Sequence, residues 1–172
     1  MNTISIKALV ITLFLFILPF AGKSQGSPIA EGALQGNLGA GLSSRGLPFY
    51  GALDYGVHQN VTVGGQLEYR VYTDRFAGVR YNHQIFGLSG NVNFHFNHLL
   101  ELPEQWNVYG GANLGFYLWD SPGSYSGSGA GGLGIGLQLG GRYYFNERWG
   151  ANLELGGTQL FGGGKIGASY RF

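Results

Sequence analysis

The chain has 172 residues, enough for one domain, and a formal net charge of only +1. Charged residues make up 11% of the sequence, against about 25% in ordinary soluble domains. The small net charge argues against nucleic-acid binding, and the aromatic content of 15% excludes a disordered chain, which requires low hydrophobicity. The absence of cysteine excludes disulfides, thiolate metal sites and cysteine nucleophiles.

Residues 1–24 form a predicted signal peptide. Lys7 supplies a positive N-terminal region, residues 8–20 form an apolar run, and residues 21–24 offer small side chains for cleavage. The alternative is a retained helical anchor, but the apolar run is shorter than the roughly 20 residues that a membrane-spanning helix needs. We therefore exclude residues 1–24 from the fold, treat residues 25–32 as a short polar lead-in, and assign residues 33–172 to one domain.

After the lead-in, alternation with a period of two predicts eight β-strands and no helix. In the third predicted strand, Val63, Leu67 and Tyr69 share one face, while Gln66 and Glu68 share the other. The first six predicted strands cover residues 33–43, 49–58, 61–73, 85–97, 106–119 and 132–145, and two more lie between residues 149 and 172. Polar or flexible loops are predicted at residues 74–84, 98–105 and 120–131. Strands of this length can cross a membrane, which takes about 9–11 tilted residues.

An even number of long strands is typical of up-and-down β-barrels, but alternation alone does not say which face is outside. A soluble carrier barrel such as a lipocalin has apolar side chains inside and polar side chains in water. Here the less apolar face is mostly Gly, Asn, Ser and Gln, which suits a narrow enclosed interior better than a water-exposed surface. We predict an all-β fold, an eight-stranded antiparallel up-and-down transmembrane β-barrel whose apolar face meets lipid.

The charged residues of the less apolar face are predicted to form a network inside the barrel. They are Asp54, Glu68, Arg70, Arg142, Glu154, Lys165 and Arg171. A turn at residues 146–148 would place Arg142 diagonal to Glu154, and a short turn after Thr158 would bring Glu154 near Arg171. Glu154 is therefore predicted to lie between two arginines, because buried charges are far less costly when they are paired.

Five aromatic residues of the apolar face are predicted to lie at one rim of the barrel, because successive strands alternate in direction. They are Phe96, Trp106, Phe145, Trp149 and Phe172. Aromatic rings concentrate at headgroup depth, so this set predicts an aromatic girdle at the membrane interface. The turns at residues 59–60 and 146–148 lie at the same rim and are short, as periplasmic turns are.

The chain ends on a strand in which Ile166, Ala168, Tyr170 and Phe172 share one face. Residues 33–172 resemble the small eight-stranded outer-membrane barrels of Gram-negative bacteria, the OmpA-transmembrane-domain and OmpX-like group, in strand count, mixed-charge interior and this ending. The resemblance implies that those four residues form a signal for the outer-membrane assembly machinery. It also implies contact with outer-membrane lipids and lipopolysaccharide. The chain departs from the group in its shorter predicted outer loops and in having no peptidoglycan-binding domain after Phe172.

No pattern predicts a metal or cofactor site. The four histidines, at positions 58, 83, 95 and 98, lack the spacing of metal ligands on one face. The match to a dinucleotide-binding glycine motif at residues 127–132 precedes a predicted strand, where that motif requires a helix.

The predicted function is that of a structural or interaction barrel without catalysis, monomeric and without a nucleic-acid partner. One alternative is a narrow pore for ions or small solutes, limited because the interior of eight strands is filled by side chains. The other is a lipid-modifying enzyme with a Ser/His/acid set near the outer rim. The candidates for that set are Ser89, His83 and either Asp74 or Asp120.

Overall fold

The structure, a computed structural model, describes residues 29–127, 129 and 131–172. The predicted signal peptide and the first four residues of the lead-in lie outside this range. The described residues form eight antiparallel strands that close into one barrel, in which β1 pairs with β8. The strands are β1 (Leu34–Ser43), β2 (Leu47–His58), β3 (Val61–Phe76), β4 (Val79–His95), β5 (Trp106–Asp120), β6 (Gly132–Tyr144), β7 (Trp149–Thr158) and β8 (Gly162–Arg171). The predicted fold class is confirmed.

Solvent exposure shows which face of the barrel is outside. Leu137 is 73% exposed and Leu153 is 56% exposed, whereas Arg142 is 3% exposed. Apolar side chains therefore cover the outer surface, and polar and charged side chains fill the interior. This is the reverse of a water-soluble carrier, so the prediction that the apolar face is on the outside is confirmed. Within the described part of the chain, no helix is long and apolar enough to cross a membrane.

The prediction of a loop at residues 74–84 is wrong. These residues continue β3 and β4 into a long hairpin whose last cross-strand pair is Phe76 with Val79. The two-residue turn is Ala77–Gly78, and both residues have positive φ angles, of 50° and 83°. That is the backbone of a type I′ turn, which matches the twist of the flanking strands and favours glycine at its second position. The hairpin therefore extends past the other strands as ordered structure.

We call the end of the barrel where β1 begins and β8 finishes the terminal end, and the opposite end the far end. The turns at residues 59–60 and 145–148 and the connection at residues 96–105 lie at the terminal end. That connection is long, but it is wound into successive turns, with the Leu100 amide donating to the Phe96 carbonyl at 2.9 Å and Leu102 to Asn97 at 3.0 Å. The β3–β4 hairpin and the connection at residues 121–131 lie at the far end.

Candidate functional site in the barrel interior

A dense hydrogen-bond network fills the terminal half of the interior. Asn37 Nδ2 donates to Asp54 at 2.9 Å, and Ser169 Oγ donates to Asn37 Oδ1 at 2.7 Å. Asn107 Nδ2 lies 2.8 Å from His95 Nδ1, and the other ring nitrogen of His95 is 3.0 Å from Thr62 Oγ1. All these side chains are buried, so their polar atoms satisfy one another inside the barrel instead of binding solvent.

An ion pair crosses this network from one wall of the barrel to the other. Arg142 on β6 donates to Asp54 on β2 at 2.7 Å, and each side chain is only 3% exposed. Four strand spacings separate β2 and β6 in either direction around the closed sheet, so the two residues lie on opposite walls. Arg142 also donates to Asn107 at 3.1 Å and lies over the Tyr109 ring at 4.2 Å. The guanidinium therefore occupies the centre of the interior.

Glu154 forms its ion pair with Lys165, at 3.0 Å, and accepts a hydrogen bond from the Tyr109 hydroxyl at 2.9 Å. The β6–β7 register places Arg142 opposite Asn152 and diagonal to Glu154, as predicted, although Arg142 forms its ion pair with Asp54. The predicted approach of Arg171 to Glu154 is wrong. The β7–β8 register places Glu154 directly opposite Lys165, and Arg171 lies six residues further along β8. Six residues of extended chain span about 20 Å, which is beyond the reach of an ion pair.

Arg171 instead packs at the terminal end of the interior. Its guanidinium lies 3.4 Å above the ring of Tyr144, which is a close cation–π contact. The Tyr144 hydroxyl donates to Gln35, which in turn donates to Asn37 at 3.0 Å. Arg171 is thus joined to the network through an aromatic ring and carries no ion pair among the described residues.

The far half of the interior contains the third ion pair, Arg70 with Glu68. Arg70 also donates to Ser43 Oγ at 2.7 Å and lies over the ring of Phe161 at 4.4 Å. Phe161 is buried and contacts the Tyr117 ring, with 4.9 Å between centroids. An aromatic and cationic cluster therefore covers the interior at this end.

Two small cavities lie between these groups. One, of about 40 Å³, is lined by Glu68, Arg70, Glu154 and Lys165 among others, and a second, of about 20 Å³, lies next to Asp54 and Arg142. The two share wall residues, including Gln66 and Glu154. These volumes are the space open to the centres of water molecules, of which one molecule needs roughly 10–15 Å³. Each cavity therefore has room for at most a few water molecules.

The predicted girdle residues lie on the outer surface near the terminal end. Four of them are exposed, and Phe96 is half-buried against Phe94, at 5.3 Å between ring centroids. Two tyrosines that the prediction omitted complete the aromatic contacts, with Tyr143 beside Trp106 at 4.8 Å and Tyr170 beside Trp149 at 4.8 Å. Their outward positions in the alternation were the signal that could have found them.

The thickness of the outer apolar surface fits a membrane. Phe86 on β4 and Phe96 just after β4 lie at the two edges of this apolar surface, ten residues apart in the sequence. With a rise of about 3.4 Å per residue and a strand tilt of about 40°, they are separated by about 26 Å along the barrel axis. Transmembrane barrels have an apolar band about 25 Å tall, so the girdle and Phe86 mark its two edges.

The residues proposed for a lipid-modifying enzyme do not converge. His83 and Ser89 lie on the same extended strand, six residues or about 20 Å apart. His83 Nδ1 instead lies 2.9 Å from Ser121 Oγ, and His83 Nε2 is buried with no hydrogen-bond partner. Asp74 accepts from the Tyr125 hydroxyl at 3.2 Å, and Asp120 is exposed on the outside. His83 and Ser121 thus make a pair, but no acid completes it among the residues described.

The described residues contain no group of three or more histidine, aspartate or glutamate side chains that could hold a metal ion. His95 and His83 lie in different halves of the interior, since His95 is held by Thr62 and Asn107 while His83 contacts the Trp119 ring near the far end. The sequence pattern gave no sign of the two partners of His95. They come from β3 and β5, on either side of β4.

The solved structures that resemble this chain include small outer-membrane barrels. OprG of Pseudomonas aeruginosa is 11% identical with a TM-score of 0.63, over 87% of this chain and 99% of that one. The N-terminal β-barrel domain of Pseudomonas aeruginosa OprF is 18% identical with a TM-score of 0.55, over 83% and 98%. Ail of Yersinia pestis is 14% identical with a TM-score of 0.52, over 83% and 100%. No protein-family model and no curated protein sequence matches the chain.

Proposed function

We propose that this chain, which has the fold of the small eight-stranded outer-membrane barrels, is a non-conducting barrel with a structural or interaction role and no catalysis. The observation that supports this role is the filled interior. Three ion pairs, at Arg142–Asp54, Lys165–Glu154 and Arg70–Glu68, occupy successive levels of the barrel. The two cavities between them have room for at most a few water molecules each.

The proposed partners follow from the two surfaces of the barrel. The apolar outer face would contact outer-membrane lipids and lipopolysaccharide, and the closed sheet would leave no strand edge for pairing with a second copy, which favours a monomer. Ile166, Ala168, Tyr170 and Phe172 are proposed as the signal for the assembly machinery. No nucleic-acid partner is proposed, because the net charge is only +1.

Single-channel recording in planar bilayers tests the non-conducting role. Protein that shows heat-modifiable gel migration, and is therefore a folded barrel, is inserted beside a 16-stranded porin that serves as the positive control. We expect no steady unitary current from this protein under conditions in which the porin conducts. Steady openings of the wild-type barrel would contradict the proposal.

A narrow pore is the second candidate, and one observation favours it. The two interior cavities share Gln66 and Glu154 in their walls, so displacement of the Glu154–Lys165 pair would join them. A pore of this kind predicts that Glu154→Ala raises conductance in the same recording. If the folded Glu154→Ala barrel also shows no steady current, the narrow-pore candidate is contradicted.

The absence of catalysis has its own test. Lipid A from cells that contain or lack the protein is compared by mass spectrometry. We expect identical acyl and headgroup composition, because no Ser/His/acid set converges among the described residues. A protein-dependent mass change that disappears with His83→Ala or Ser121→Ala would overturn this part of the proposal.

A further inference from the structure

The outer face of the β3–β4 hairpin changes chemistry in a regular order from the membrane to its tip. Leu67 and Leu88 form an outward cross-strand pair, followed by Tyr69 with Phe86 and then Val71 with Gln84. The next two rows are Thr73 with Asn82, and finally Arg75 with Arg80. The surface thus passes from apolar to aromatic, to polar and to cationic.

Arg75 and Arg80 lie directly opposite each other in this register, and both are exposed. They point outward, because alternation along β3 places them on the face opposite to that of the buried Arg70. Like charges in directly opposed positions of two strands destabilise a sheet. No carboxylate of the described residues forms an ion pair with either guanidinium. Asp120, an outward carboxylate, is opposite Gln84, four residues nearer the apolar band than Arg80.

The strands that carry the two arginines are held in place by contacts on the inner side of the hairpin. Tyr125, from the connection between β5 and β6, packs against Phe76 at 5.6 Å and Tyr81 at 5.1 Å between ring centroids. Its hydroxyl donates to Asp74 at 3.2 Å. Desolvation and the neighbouring Asp74 raise the pKa of Tyr125, so the phenol stays protonated and keeps donating. The hairpin is therefore braced from inside, and its outer face is free.

The arginine pair lies beyond the apolar band, on the side where the headgroups of one leaflet lie. Arg75 lies four residues beyond Val71, the last apolar outward residue of β3. With the rise and tilt of a membrane strand, this is about 10 Å beyond Val71, and about 16 Å beyond the level of Tyr69 and Phe86. Flexible arginine side chains can bend back from there to the headgroups, and the guanidinium fork binds phosphate with two parallel hydrogen bonds.

We propose that Arg75 and Arg80 form a phosphate-binding site for the headgroup of an outer-leaflet lipid, with the phosphorylated sugars of lipid A as the chemical class. A lipid is favoured over a soluble polyanion because the pair continues the lipid-facing column of side chains and does not line the mouth of the barrel. The bound phosphate would offset the repulsion between the two guanidiniums. This inference rests on the proposed function, with the far end facing outward.

The test measures unfolding in urea for the full-length protein in vesicles. The vesicles contain either diphosphorylated lipid A or the same lipid A after removal of its phosphates. We expect the wild type to unfold at higher urea with the phosphorylated lipid, since a ligand of the folded state stabilises it. Arg75→Gln/Arg80→Gln should lose at least half of this gain. Arg148→Gln, which removes an exposed arginine at the terminal end, should keep it.

A second readout separates binding from a loss of fold. With dephosphorylated lipid, the double variant should be at least as stable as the wild type, because the variant has lost only a repulsive pair. The inference is overturned if the variant keeps the phosphate-dependent gain, or if the wild type shows none. It is also overturned if inorganic phosphate or heparin in detergent gives an Arg75- and Arg80-dependent gain and the lipid does not.

The outcome is independent of the conductance measurement. If the wild type shows no current and the double variant keeps the phosphate-dependent gain in stability, the lipid site is ruled out and the proposed function stands. If the wild type conducts steadily and its stabilisation by phosphorylated lipid A depends on the two arginines, the non-conducting role is ruled out and the lipid site stands.

Discussion

The ring of Tyr109 occupies the space that a side chain at position 140 would need. Tyr109 on β5 and Gly140 on β6 are directly opposite each other, and a Cβ placed on Gly140 would meet the phenol carbons and hydroxyl of Tyr109. The same relationship joins Tyr117 with Gly87. These pairs account for part of the high glycine content, because a narrow barrel can hold a large ring against its wall only where the neighbouring strand has no side chain.

Gly140→Ala should therefore destabilise the barrel by about 1–3 kcal/mol, since the tyrosine must move and pull on its bond to Glu154. Urea unfolding in lipid vesicles measures the change. Gly141→Ala is the matched control, because that glycine faces outward and its nearest contact would be a backbone oxygen 3.9 Å away. The control should stay within about 0.5 kcal/mol of the wild type. Equal effects at the two glycines would show that Tyr109 does not fill this space.

Asp54→Ala is expected to be among the most damaging single changes inside the barrel. It would leave Arg142 buried without its carboxylate, and such a loss costs about 3–5 kcal/mol. The same unfolding measurement applies, with exposed Asp120→Ala as the control. Adding Arg142→Met to Asp54→Ala should restore part of the lost stability, because the uncompensated charge is then gone. If Asp54→Ala behaves like Asp120→Ala, the pair across the barrel does not exist.

A double-mutant cycle should identify the partner of Glu154. We expect a coupling free energy of roughly 0.5–3 kcal/mol between Glu154→Ala and Lys165→Met, as is usual for residues in contact. Coupling between Glu154→Ala and Arg171→Met should be near zero, because six residues of β8 separate Arg171 from Lys165. The reverse ranking would favour the arginine pairing and contradict the β7–β8 register.

The C-terminal aromatic residue is predicted to matter for assembly more than for stability. Phe172→Ala should lower the amount of folded, heat-modifiable protein in the outer-membrane fraction of cells. Phe145→Ala is the control, since Phe145 is 68% exposed and Phe172 is 71% exposed, on the same outer face near the terminal end. If the two substitutions reduce folded protein equally, the effect belongs to the girdle and the assembly signal is not supported.

The strand count, the class of fold and the choice of outer face were accessible from the amino-acid sequence. Alternation is a local property of each strand, and a pattern such as Val63 and Leu67 against Gln66 and Glu68 can be detected without knowing any partner strand. The small polar residues opposite the apolar ones then indicate an enclosed interior. The hairpin at residues 74–84 was missed because it projects beyond the apolar band, where both faces of a strand can be polar.

The pairing of the interior charges was decided only by the tertiary structure. Arg142 and Asp54 are brought together by closure of the sheet, and no local pattern relates β6 to β2. Lys165 is the partner of Glu154 because the β7–β8 turn sets the register, and a different turn length would move every pair along the strand. The sequence therefore determined which side chains are inside, whereas closure and register determined which of them touch.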